Sequence, residues 1–131
     1  MPITHQWLSK KLLHTYYTGI VTGREMLNAA IEVSSDPRFE NIRMIIGDWS
    51  DISNAEISID EVKELAAYVA AVVESFPRIL NATVVANYES GLARAAYYDD
   101  LAKKSPWQTK TFSNISDAKH WFVSKGYSLI D

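Results

Sequence analysis

Residues 45–66 read IIGDWSDISNAEISIDEVKELA. A greasy run over 42–48 stops at Gly47-Asp48-Trp49, a polar stretch follows, and Ser58 opens a new pattern. The run lacks clean alternation, which predicts a central strand covered on both faces. After Ser58, apolar residues recur at helical spacing: Val62, Leu65, Ala66, Val69, Val72, Val73 and Phe76. Asp60 and Glu61 suit the positive end of the helix dipole, and Pro77 ends the helix. Ser58-Ile59-Asp60-Glu61 has the form of a capping box, in which the serine hydroxyl and the Glu61 carboxylate each accept the other's backbone N–H.

Reading outward gives the rest of the chain. Residues 3–8 and 12–18 predict two strands joined at Ser9-Lys10-Lys11 into a hairpin. Thr22 and Glu25 form a second capping box, opening a helix whose inward face is Leu27, Ala30, Ile31 and Ser34. Asp36-Pro37 ends it, because a residue before proline avoids the helical region. Residues 80–86 read as another buried strand and 87–90 as a loop. Leu92 to Lys103 reads as a third helix, and residues 107–112, with Lys110, as an edge strand. Asn114 with Asp117 opens the last helix, whose apolar face is Ala118, Trp121 and Phe122, and Gly126 stops it. The order is β-β-α-β-α-β-α-β-α: a single α/β domain over 1–131, with an N-terminal hairpin and a mixed, mainly parallel sheet packed by helices.

Composition narrows the function. The chain has 131 residues, 47% hydrophobic and 22% charged, with a net charge of -3 and no cysteine. Disulfides, thiol catalysis and cysteine zinc sites are therefore excluded. Lys10-Lys11 and Lys103-Lys104 are isolated pairs, so no nucleic-acid footprint is expected. The N-terminus lacks a signal-peptide pattern, and the apolar stretch Leu65 to Val73 is too short to span a bilayer. A cytoplasmic location is the expectation.

In open α/β sheets, ligands sit beyond the carboxyl ends of the parallel strands. That edge is expected to collect Asp48, Trp49, Ser50 and Asp51, then Asn87, Tyr88, Glu89 and Ser90. Asp48 is read as a loop former whose carboxylate accepts backbone N–H groups. A receiver-type phosphoacceptor role is rejected, because the early strands end without the acids that would hold Mg²⁺. His5 and His14 are expected to face each other across the hairpin. Two histidines without an acidic companion make a poor metal site, so no metal is assigned. No nucleophile elbow, dinucleotide fingerprint or phosphate loop occurs, and no cofactor or catalytic residue is assigned. Trp49, beside Asp48, is a contact for a partner or an apolar ligand if it is exposed. Ser58 is either only a cap or also a switch, since a phosphate would add a charge of about -2 at the helix start.

The two opening strands, the strand ending at Asp48 and the serine-opened helix resemble the STAS domain family, the SpoIIAA-like anti-sigma-factor antagonists. Family members carry a phosphorylatable serine at the start of the helix after the aspartate-ended strand, and Ser58 falls there. The family pattern is Asp-Ser-Ser-Gly, against Glu56-Ile57-Ser58-Ile59 here. The resemblance implies a SpoIIAA-like fold and a non-enzymatic module of bacterial, cytoplasmic signalling. It also implies a protein partner docked near Asp48–Ser58 and Ser58 as candidate phosphoacceptor, and it admits a homodimer. The alternative it implies is a carrier for a lipid or small apolar ligand, because this fold group has structural kinship with lipid-binding Sec14-type domains.

Overall fold

The computed structural model describes residues 2–85 and 108–129. The helix expected over 92–103, the loop residues Asn87, Tyr88, Glu89 and Ser90, and Trp107 lie outside the described residues.

The hairpin pairs β1 (Ile3–Trp7) with β2 (Leu12–Thr22). Its turn is held by Ser9, whose Oγ accepts the N–H groups of Lys11 and Leu12. Helix α1 (Gly23–Ser34) follows directly, with Thr22 and Glu25 in a complete capping box. A short 3-10 turn, Pro37–Asn41, is capped by Asp36. It was not legible as an element, because five residues are too few to show a period. Strand β3 (Met44–Glu56) leads to α2 (Ile59–Ser75), then β4 (Leu80–Val85), β5 (Gln108–Phe112) and α3 (Ile115–Ser124). Asn114 caps α3, and Gly126, at φ 87, ends it in the left-handed region that glycine occupies freely.

The five strands lie side by side in the order β1-β2-β3-β4-β5. Only the hairpin pair is antiparallel. Strand residues alternate between faces. One face, carrying Leu13, Val21, Trp49 and Val85, packs under α1 and α2. The other, carrying Leu12, Met44, Ile46, Ala82 and Val84, packs under Ala118 and Phe122 of α3.

Two expectations are corrected. The chain after Asp48 is not a loop: β3 runs on to Glu56 and stays paired with β2 as far as Thr22. The partner Tyr16 faces Asp48 but Thr18 faces Asp51, and Gly19 faces Ile52 but Ile20 faces Asn54. Each step inserts one extra residue into β3, so 13 residues run beside 11 in β2. Such bulges disrupt the two-residue alternation and re-aim side chains. The inward face of α1 is also rotated: Met26, Leu27, Ala29 and Val33 are buried, while Ile31 is exposed. The apolar arc of this helix, from Ala29 round to Ile31, is wider than the face it buries, so spacing alone does not set which part of it turns inward.

Candidate functional site

Asp48 stands in the middle of β3 and is only 1% exposed. Its carboxylate is satisfied locally. His14 of β2 donates from Nε2 to Oδ2 at 2.9 Å. Ser50 donates its backbone N–H to Oδ1 at 3.0 Å, and its hydroxyl to the same oxygen. The expected backbone N–H thus reaches the aspartate, but inside a bulge rather than a loop: the extra residue frees the Ser50 N–H from the ladder, and the carboxylate takes it. The Ser50 hydroxyl binds Asp48 and not His14, so the three residues do not form a nucleophile–base relay. His14 and His5 do not meet. Gln6 lies opposite His14 and Thr15 opposite His5, which puts the two imidazoles on opposite faces of the sheet.

Trp49 points to the α1/α2 face and is buried, so the exposure on which its reading as a partner or ligand contact depended is not met at the surface. There it helps line a cavity of about 130 Å³ between the sheet and the two helices. The cavity follows from side-chain size. Gly47 lies on its floor between Thr15 and Thr83, and Ala29 and Ala30 of α1 line it from the helix side. A row of partnered positions, His5, Thr15, Gly47 and Thr83, crosses the sheet beneath it. Met26, Val33, Leu65 and Val69 supply apolar walls from the helices. Ile45, Gly47 and Asn81 keep some exposure although they lie on inner strands under two helices. His5 and Thr15 share a hydrogen bond of 3.0 Å. Burial holds the His5 imidazole below its ordinary pKa, partly offset by Glu32. Burial pushes the Tyr17 phenol up to about 12, and its ring leans on Trp49 with centroids 5.3 Å apart.

Sequence reasoning passed over Gly47, Thr15, Asn81 and Thr83 as site residues. The available signal was a glycine inside a run of bulky strand formers, which marks a position where something approaches the backbone closely.

Ser58 lies at the far end of β3. About 20 Å of extended chain, at roughly 3.3 Å per residue, separates it from Asp51, so residues 48–51 and Ser58 do not share one patch. Ser58 is exposed and caps α2: its Oγ accepts the Glu61 N–H at 3.1 Å, and Glu61 Oε1 accepts the Ser58 N–H at 3.0 Å. These bonds hold the Glu61 carboxyl below its ordinary pKa. The starts of α1 and α2 are neighbours, because a Cβ on Gly23 would come within 2.7 Å of the Glu61 side chain. Asp51 is exposed and Ser50 partly so. Ser58→Ala is expected to lower stability by about 1 kcal/mol, the usual worth of such a cap. Urea unfolding checks this, and an unchanged midpoint would remove Ser58 from the capping role.

Among the described residues, no three His, Cys, Asp or Glu side chains cluster to hold a metal. No described helix is long and apolar enough to cross a membrane.

Comparison with known proteins supports the architecture. No protein-family model and no curated protein matches the chain. A solved structure, that of the anti-sigma factor antagonist SpoIIAA in its unphosphorylated form, matches with a TM-score of 0.57. The match covers 95% of this chain and 99% of that one at 10% identity. The fold is SpoIIAA-like, as the resemblance implied.

Proposed function

We propose that the chain is a non-enzymatic regulatory module of the STAS type that docks a partner protein at the end of the sheet where α1 and α2 begin. The observation that carries this reading is the surface there. Ser58 is exposed where the two helix starts adjoin, its neighbour Ile59 is 64% exposed, and Ile20, 57% exposed, lies farther back on β2 opposite Asn54. Ile20 lies two residues before Thr22, which pairs with Glu56 at the end of β3. Exposed Ile59 beside Ser58 offers another protein an apolar contact next to a polar one. SpoIIAA is by name an antagonist of an anti-sigma factor, and its compared form is unphosphorylated. A protein partner and a phosphorylation state at Ser58 are the corresponding readings for this chain. Asp48 and Trp49, being buried, drop out of the docking face.

The test is chemical cross-linking in an extract of the cells that make the protein, with wild type beside the double variant Ile20→Asp, Ile59→Asp. Both positions are exposed, so the variant keeps the fold. A partner joined to wild type and lost from the variant is the expected result. A partner joined equally to both contradicts the docking face.

A second reading is favoured by the cavity: the module holds a small apolar molecule between the sheet and α1/α2. The lining is mostly apolar and the volume exceeds that of a single water. Ligand pockets of proteins share this make-up, apolar walls with a few polar groups that fix orientation.

A further inference from the structure

The cavity floor holds polar groups that the fold leaves unsatisfied. Trp49 and Thr83 are each only 7% exposed, and both line the cavity. Among the described residues, neither the Trp49 indole N–H nor the Thr83 hydroxyl has a hydrogen-bond partner. Native proteins pair nearly all such buried groups, and each exception calls for an explanation. Leaving a buried donor unpaired is costly, whereas filling it from a ligand recovers that cost on binding.

The position of the indole is telling. Its Nε1 lies 3.9 Å from the point where a Cβ on Gly47 would stand. The donor therefore adjoins the space that Gly47 leaves open on the floor. An indole N–H only donates, so its complement is an acceptor atom. Charge is excluded from the site by its lining. No Lys, Arg, Asp or Glu side chain contributes to it, and burial holds His5 toward its neutral form. An ion brought into such surroundings would lose its hydration with no counter-charge in return. Size sets the last limit. A volume of about 130 Å³ is close to the ~150 Å³ of an apolar cavity that holds one benzene ring.

We propose that this cavity binds an uncharged molecule of about one ring bearing a carbonyl-type oxygen, with that oxygen accepting from Trp49 Nε1 over Gly47. The proposal rests on the second reading above and adds to it the chemical class of the ligand. Gly47 becomes the residue that decides specificity. A methyl group at this position would meet its nearest neighbours at 3.9 to 4.0 Å, ordinary contact distances. Gly47→Ala therefore folds, yet its methyl occupies the space in front of the donor.

The test uses the full chain and three probes: acetophenone, α-methylstyrene, which keeps the shape with CH₂ in place of the oxygen, and benzoate. Titrations are followed by calorimetry and by the indole N–H resonance of Trp49 in ¹H–¹⁵N spectra. Acetophenone is expected to bind and to shift that resonance. α-Methylstyrene is expected to bind about three- to tenfold more weakly, the span of one net hydrogen bond. Benzoate is expected not to bind, and Gly47→Ala to weaken acetophenone about tenfold or more while keeping a folded spectrum. Equal affinity for acetophenone and α-methylstyrene would overturn the acceptor proposal and leave the apolar-pocket reading standing. Failure of both neutral probes to bind wild type would overturn the two together.

Discussion

Replacing His14 with alanine lowers the stability of the fold by about 3 kcal/mol, because it leaves a buried carboxylate without its partner. Asp48 has no route to bulk water: its side chain is 2% exposed, and His14 covers Oδ2 at 2.9 Å. Ser50 satisfies only the other oxygen, Oδ1. The loss lies toward the lower part of the range for broken buried pairs, since the His14 side chain is 14% exposed and its removal admits some water. A domain of this size has a total stability of about 5–15 kcal/mol, so the variant unfolds at a clearly lower urea concentration. Asp48→Asn serves as the control, because an amide keeps an oxygen for Ser50 and an N–H₂ group for the imidazole. It is expected to lose less than His14→Ala. A loss below about 1 kcal/mol for His14→Ala would show that Asp48 is hydrated and that β3 does not bury it.

Phe122→Ala is expected to cost about 3–5 kcal/mol, the range for emptying a buried aromatic site. Phe122 is fully buried and joins Leu12, Met44, Ile46 and Val84 under α3. Trp121 beside it packs on Phe122 and Phe112, with ring centroids 5.6 Å apart in both pairs, so the substitution also removes one of its ring contacts. The cavity on the opposite face offers a contrast. Space there comes from Gly47 and two alanines rather than from a missing core residue, so Gly47→Ala is expected to leave stability unchanged or slightly raised while Phe122→Ala lowers it strongly. Thermal unfolding of the two variants side by side checks the asymmetry. A Phe122→Ala loss under 1 kcal/mol would mean that α3 does not cover this face.

The helix starts were legible because a cap is a local signal. Ser58 with Glu61, Thr22 with Glu25, and Asn114 with Asp117 each bring their bonding partners within one turn. The hairpin and the alternation of strand and helix were legible for the same reason, and together they carried the SpoIIAA-like fold. What was not legible depends on neighbours distant in sequence. The second half of β3 is polar, and two bulges shift its pattern, so Trp49-Ser50-Asp51 reads as a loop until β2 is seen beside it. The burial of Asp48 requires His14, 34 residues away. The cavity requires Gly47 to fall between Thr15 and Thr83, and that register is set by three strands at once. For the site, the sequence singled out Asp48, Trp49 and Ser58 and joined them into one surface. The strand divides them into a buried dyad, a cavity wall and an exposed cap.

That division rests on β3 continuing as a paired strand to Glu56, and amide hydrogen exchange over residues 49–56 tests it most directly. Slow exchange is expected within the stretch paired with β2, from Asp51 to Glu56, and fast exchange at the exposed Ser58. Rapid exchange throughout 49–56, at rates like those of Ser58, would contradict it and would return Asp48 and Trp49 to an open loop.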